Sequence, residues 1–424
     1  MAAVRRGRMT AARALAAIAA GLALAACGGP GGPVTTGTMA REAPPRTAPS
    51  PSGSPSPTPR PAASPTPKAT PAPTPTSLGR GEGMVRVLAP RGYVEYGGTD
   101  PNVNWVTSFE RETGCRVRLT YAERGAAIER MLADDGYDVV AAPPEVAGRL
   151  ITERRVAPLR TSLLAHYRDV PRWLRELPAY TARGAAGDEV YGVPYLWAYH
   201  QVAYDRSAGG ADTPKDGGAL FREPGPVLLR DDPLTIADAA LALRGEGRPE
   251  DPFRLTPDQL DAAVALLAGR KEEDRSYWRS SLDVVRGFAA GRLRLAQALP
   301  YQVGVLARAD RPVRAVTPRR TTGWADAWLV TADAAHPNCA YRWIGHMLSR
   351  DVQREAAEWN GLAPANLKAC TGRARRVCAD YRVDDPDLAR RVAFAVRPAR
   401  DCGDGEAGCT DYAEWERRWR ELVR

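Results

Sequence analysis

From Met84 onward the chain alternates short strand-like runs with amphipathic segments of helical period, and this alternation constrains the fold more than any other feature of the sequence. "MVRVLAP" reads as a strand. "NWVTSFERETG" reads as a helix with Trp105, Val106 and Phe109 on one face and Gly114 closing it. "CRVRLTYA" alternates as a strand, "GAAIERMLADDG" is a short helix, and "YDVVAA" is a buried-strand run. In "PEVAGRLITE", Pro143 and Pro144 suit a first helical turn. Strand–helix alternation of this kind builds a mainly parallel sheet covered by helices. "YGVPYLW" and "HQVAYDR" follow as two further strands.

A second set begins with "PVLLRDD", a strand ending in two carboxylates, and "PLTIADAALALRG", a helix starting at Pro233. "TPDQLDAAVALLAGRKEE" has Thr256 as N-cap and Leu260, Ala263, Leu266 and Leu267 as its apolar stripe. "SLDVVRGFAAG", the strand "LRLAQAL" and "VRAVTP" lead to "TTGWADAWLV". If that stretch is a strand, Trp324, Asp326 and Trp328 share one face. A carboxylate between two indoles suits a cation. The same spacing serves a strand packed into a core, and Trp328 can be core alone. The tail is helical, and Tyr412, Trp415, Trp419 and Leu422 recur in "DYAEWERRWRELV" as a packing stripe.

Upstream of Met84 the composition changes. "MAAVRRGRMTAAR" is a basic leader, "ALAAIAAGLALAA" an apolar core too short for an ordinary membrane span, and the run ends at Cys27 in "LAAC". This resembles a bacterial lipobox, which implies a signal peptide over 1–27 and a lipid on Cys27. The other reading is a plain cleaved signal. Residues 28–83 are rich in Pro, Ser, Thr, Ala and Gly, with 15 of the 37 prolines between Pro30 and Pro75. Such a segment has too little apolar surface to fold. Where it is polyproline II it extends about 3.1 Å per residue, which makes it a tether. The net charge of +9 is concentrated in this part: nine basic residues and two acids precede Met84, which leaves the remainder near +2. No basic stripe interleaved with aromatics marks a nucleic-acid surface.

Apart from Cys27 there are six cysteines, an even number in an exported chain, which suggests three disulfides among 15 pairings. Short loops favour Cys370–Cys378 and Cys402–Cys409, leaving Cys115–Cys339 as a long-range link. Zinc is the rival use of these residues, but no CxxC pair is present. The four histidines, His166, His200, His336 and His346, include no metal-binding pair at helical spacing. There is no GxSxG, phosphate loop or HExxH, and no cofactor or metal is implied. An enzyme is not expected.

Taken in order, "FERETGCRV", "YDVV", "VAPL", "YGVPYLW", "GWADAWLV", "HPNCAYRWIGHMLSRDVQ" and "GLAPAN" resemble the spermidine/putrescine-type extracellular solute-binding proteins of ABC importers, within the periplasmic-binding-protein superfamily. The resemblance implies an α/β fold of two lobes, each a mostly parallel sheet flanked by helices, with a ligand cleft between them. The solute-binding domain is expected over 84–424. Lobe 1 would cover about 84–197 and 326–366, and lobe 2 about 198–325 and 367–424. The lobes would close on a solute, and the closed form would dock on a permease. Expected partners are a small solute, permease subunits and, through the lipid, the outer face of the cytoplasmic membrane, with the protein acting as a monomer.

The same resemblance implies that "WAD" supplies an aromatic wall at Trp324 and an anion at Asp326. Asp232 resembles a second ligand carboxylate, although Asp231 or Asp232 serves equally well as a cap for the helix at Pro233. Tyr93 resembles an aromatic of the first strand–helix loop, against the reading of a loop tyrosine. Tyr301 lies beside the place of a family tryptophan. The departures are Pro90 and Arg91 before Tyr93, Ala142 and Pro144 after "YDVV", and Thr235 in place of a second acid. An arginine at the mouth opposes a polycation unless Glu95 neutralises it. Arg91 with Asp326 therefore suits an amino acid or other zwitterion better than a linear polyamine. The alternative is a degenerate binding protein that acts as a sensor or interaction lipoprotein without transport.

Overall fold

The computed structural model describes residues 74–424 except 124, 134–135, 185–186, 208–212 and 404–407. The signal segment, Cys27 and the tether up to residue 73 lie outside the described residues. The strands run in chain order as β1 (Met84–Pro90), β2 (Arg116–Ala122), β3 (Val139–Ala142), β4 (Thr181–Gly184), β5 (Gly187–Val190), β6 (Gly192–Tyr199) and β7 (Gln201–Asp205). They continue as β8 (Val227–Arg230), β9 (Arg275–Trp278), β10 (Leu295–Ala298), β11 (Val313–Val316), β12 (Thr321–Val330), β13 (Ala363–Pro364) and β14 (Val392–Phe394).

One sheet has the order β13-β6-β12-β3-β1-β2, with β14 added to β12. β1 pairs in parallel with β2 and β3, while β12 runs antiparallel to β3 and β6. The other sheet has the order β11-β7-β10-β8-β9, with β8 parallel to β9 and β10 and β7 antiparallel to its neighbours. Both sheets belong to one compact unit. β14 pairs with Thr321–Gly323 in the first sheet. Residues 392–394 and their partners 321–323 both fall in the expected second lobe, and the first residues of β12 carry this segment into the first sheet.

The local signals explain much of this. Gly114 ends the helix Val106–Thr113 at φ 69, a left-handed conformation that glycine adopts without a Cβ clash. Thr256 and Gln259 form a capping box that starts the helix Pro257–Ala268. The helix read as starting at Pro233 begins instead at Thr235. Residues 74–83, counted with the tether by composition, are docked. The Thr74 hydroxyl donates to the Pro158 carbonyl at 3.0 Å, and Glu82 accepts from the backbone of Asn338 and Cys339, both at 2.9 Å. Cys115–Cys339, Cys370–Cys378 and Cys402–Cys409 are disulfide-bonded. The first of these ties the start of β2 to the helix Pro337–Met347.

The chain crosses between the sheets with a single residue, His200, separating β6 from β7, and returns through residues 317–320 from β11 to β12. The two crossings are stitched together. His200 N donates to the Thr322 carbonyl at 3.0 Å, and the Thr321 hydroxyl donates to the His200 carbonyl at 2.7 Å. Side chains extend the stitch: the Thr322 hydroxyl donates to Asp238 at 2.7 Å, and the Gln297 amide donates to the same carboxylate at 2.8 Å. His200 Nδ1 lies 2.8 Å from the Thr322 hydroxyl.

Candidate binding site

β12 runs through the middle of the first sheet, and all ten of its residues are buried. Its register with β6 shifts at Tyr195, between Asp326 and Ala327, a local irregularity of the kind that re-aims side chains. The Asp326 carboxylate accepts a hydrogen bond from the Tyr93 hydroxyl. Tyr93 follows β1 in a tight turn, its N–H donating to the Pro90 carbonyl at 3.2 Å across Gly92, whose φ is 85. The Tyr195 hydroxyl donates to the Tyr93 carbonyl at 3.2 Å. Tyr195 in turn packs on Trp328 at 5.5 Å, and Trp328 on Trp343 at 5.9 Å. Trp328 is thus interior to the first lobe.

Trp324 lies where the two sheets meet. The Arg230 guanidinium, from the end of β8 in the second sheet, sits 3.9 Å from the centroid of its ring. The His200 ring is 5.4 Å away at a tilt of 42°. Asp232 pairs with Arg230 at 2.9 Å through one oxygen and accepts from Leu234 N at 2.9 Å through the other. It therefore both caps the turn and faces the site. Asp231 is used elsewhere, accepting from Arg279 at 2.6 Å and from the Trp419 indole at 2.9 Å.

A third carboxylate completes the group. Glu145 stands in the first turn of the helix Pro144–Thr152, directly after β3, and is only 7% exposed. Burial pushes its carboxyl up to about 8; the negative charges of Asp232 and Asp326 add to the rise, and Arg230 opposes it. Tyr180 donates to the Ala325 carbonyl, and burial together with Asp326 and Glu145 holds its phenol well above the usual range. Burial, Glu145 and Asp232 likewise raise the Tyr412 phenol. Arg397 lies 4.7 Å over the Tyr412 ring and donates to the Glu145 carbonyl at 2.7 Å. The arrangement brings an indole face, three acids contributed by both sheets and a guanidinium into one buried group, side chains of the kinds that pair with organic cations.

Residues 104–374, well over half of the chain, match the family described as bacterial extracellular solute-binding protein. The chain belongs to that family. A putrescine/agmatine-binding protein of Pseudomonas aeruginosa is 26% identical over 284 residues, covering 62% of this chain and 74% of that protein. The spermidine/putrescine-binding periplasmic protein of Escherichia coli K12 is 22% identical over 268 residues, covering 62% of this chain and 73% of its own length. Among solved structures, a putative spermidine/putrescine ABC transporter protein from Listeria monocytogenes superposes with a TM-score of 0.62 at 16% identity, over 80% of this chain and 99% of that one. The fold is that of the two-lobed type II periplasmic binding proteins.

Of the residues singled out in the sequence of this solute-binding protein, Trp324, Asp326, Asp232 and Tyr93 come together. Arg91 and Tyr301 do not. Arg91 is exposed and lies 4.9 Å over the Tyr121 ring, because the turn at Gly92 sends Tyr93 inward and leaves Arg91 outside. Glu95, its expected counter-charge, is buried and accepts from the Trp359 indole at 3.2 Å. Tyr301 packs beside Gly361 and lines a separate cavity of about 540 Å³ with Arg308, Arg373 and Arg376. Glu145, Arg230, Tyr180 and Tyr412 were not singled out as site residues. The signal for Glu145 was legible: an acid in the first helical turn after a strand stands at the carboxyl end of a sheet, where α/β ligand sites form. Arg230 adjoins the two carboxylates already noted, but nothing local distinguishes it from a surface arginine.

Proposed function

We propose that this protein captures a small solute bearing a cationic group, polyamine-like or amino-acid-like, and delivers it to the permease of an ABC importer. The observation that carries the reading is a cation already seated 3.9 Å from the Trp324 ring, with Asp232 2.9 Å from it, Glu145 within its electrostatic reach and Asp326 within that of Glu145. Ring faces and carboxylates bind organic ammonium groups in this way. The names of the relatives, which bind putrescine, agmatine or spermidine, point to the same chemistry. Trp324 and Asp326 are 5% and 1% exposed, so a solute reaches them only when the sheets part about the crossings at His200 and 317–320. The moving bodies are lobe 1, about 84–197 and 326–366, and lobe 2, about 198–325 and 367–424. In the cell the domain hangs by the Pro-rich tether from a lipid on Cys27, at the outer face of the cytoplasmic membrane, and works as a monomer.

Thermal unfolding with polyamines, amino acids and betaines tests the reading. A solute at about a hundred times its dissociation constant should add roughly 2.7 kcal/mol of stability. Asp326→Asn keeps an acceptor for Tyr93 but removes the charge, and should abolish that gain. A stabilising solute whose effect survives this substitution removes Asp326 from the site.

A further inference from the structure

We propose that Arg230 selects the class of solute: by filling the cation position on Trp324 itself, it makes the site take a solute with one cationic and one anionic group and reject a diamine of the same length. This rests on the cation-binding reading above and specifies it. A guanidinium 3.9 Å from the ring stands where a ligand ammonium would sit in an aromatic cation site.

Arg230 is held there from several directions. Asp232 pairs with it at 2.9 Å. Its backbone N–H donates to Gln297 at 2.8 Å, which connects it to the stitched crossing. Its carbonyl accepts from the Thr235 hydroxyl at 2.9 Å. Thr235 occupies the place where the family resemblance implies a second acid, and an ionised acid there has no proton to donate to that carbonyl. The departure at 235 and the position of Arg230 are thus one feature.

The consequences for a ligand follow from charge. Arg230 and Asp232 neutralise each other, which leaves Glu145 and Asp326 to receive one cation from the solute. A second ammonium would meet the guanidinium at close range, and like charges there are costly. Asp232 pairs with one terminal guanidinium nitrogen, Nη2, through one oxygen. The planar fork of donors fits a carboxylate. The zwitterion-binding role expected of Arg91 therefore passes to Arg230.

The test is a matched series on the full chain: 1,4-diaminobutane, 4-aminobutanoate and butylamine, with their five-carbon homologues, measured by calorimetry. One charge-assisted pair is enough for a roughly ten- to hundredfold preference. The wild type should favour the amino acid over the diamine by that factor. Arg230→Met keeps the stem on the ring and should reverse the order; Arg230→Lys keeps a charge without the fork and should narrow the preference. A wild type that prefers the diamine, or an Arg230→Met ranking identical to wild type, overturns the role of Arg230 and leaves the cation-binding reading standing. If neither the wild type nor Arg230→Met binds any member, both fall. The wild-type ranking decides even if a variant fails to fold.

Discussion

Two polar clusters flank Trp324, and they are built on opposite principles. On the crossing side, His200, Thr322, Asp238 and Gln297 share contacts of 2.7 to 3.2 Å, and a single carboxylate collects donors from its neighbours. On the Arg230 side, Asp232 pairs with the guanidinium, Glu145 lies within electrostatic reach of Asp232, Asp326 and Arg230, and Glu145 is pushed up to about 8. A buried network whose groups pair internally fixes a geometry. A buried cluster with an excess of one charge is unstable by itself and gains from a partner of the opposite sign. The contrast separates a cluster that holds the crossing in place from the cluster proposed to receive the solute.

The largest expected effect is on pH dependence. Burial and the neighbouring acids push the Glu145 carboxyl from the ordinary 4.5 up to about 8, so its protonated form favours the native state. Its contribution is intact below pH 4.5 and is lost as pH rises through about 8. Glu145→Gln, an isostere without the charge, should match wild type near pH 4 and exceed it increasingly as pH rises, by on the order of a few kcal/mol above pH 8. Urea unfolding across that range measures the difference, and parallel curves for the two proteins would show that Glu145 is ionised throughout. Bound cation should draw the same proton off, so affinity for a cationic solute should rise between pH 6 and 8 in the wild type and not in the variant.

On the crossing side the sign is reversed, because every substitution should cost stability. Gln297 is fully buried, accepts from Arg230 N at 2.8 Å and donates to Asp238 at 2.8 Å. Gln297→Ala leaves a backbone donor and a carboxylate short of partners and opens a void, at about 3 kcal/mol. Chemical denaturation at pH 7 reads the loss. A cost below about 0.5 kcal/mol would erase the distinction between the two clusters, since surface substitutions do as much.

How far the sequence announced this arrangement depends on the scale of the interaction. Helix ends were legible because Gly114, Thr256 and Gln259 act on their own backbone. Trp324 and Asp326 were legible because a strand repeats every two residues. Their surroundings were not, since Arg230 reaches Trp324 from another sheet and Asp238 meets Thr322 across 84 residues of chain. The docking of residues 74–83 was hidden by composition: Glu82 is an ordinary acid until the helix start at Asn338 meets it. Arg91 was overvalued for the same reason, because sequence order shows that it adjoins Tyr93 but not which of the two the turn carries inside.

That overvaluation yields the smallest predicted effect, and it sharpens the comparison from outside both clusters. Arg91 is exposed, and the contact the structure gives it is the Tyr121 ring at 4.9 Å. An exposed cation–π pair contributes about 0.5–1 kcal/mol at most. Arg91→Ala should lower stability by less than about 1 kcal/mol and leave solute affinity within roughly twofold of wild type. Its charge is exposed, where screening over a Debye length of roughly 8 Å weakens its reach. A salt series provides the control: any change in association rate from Arg91→Ala should disappear as ionic strength rises, while the effect of Arg230→Met on the equilibrium preference should persist. An Arg91→Ala affinity loss that survives high salt would instead put this arginine in contact with the solute and the first turn in the wrong orientation.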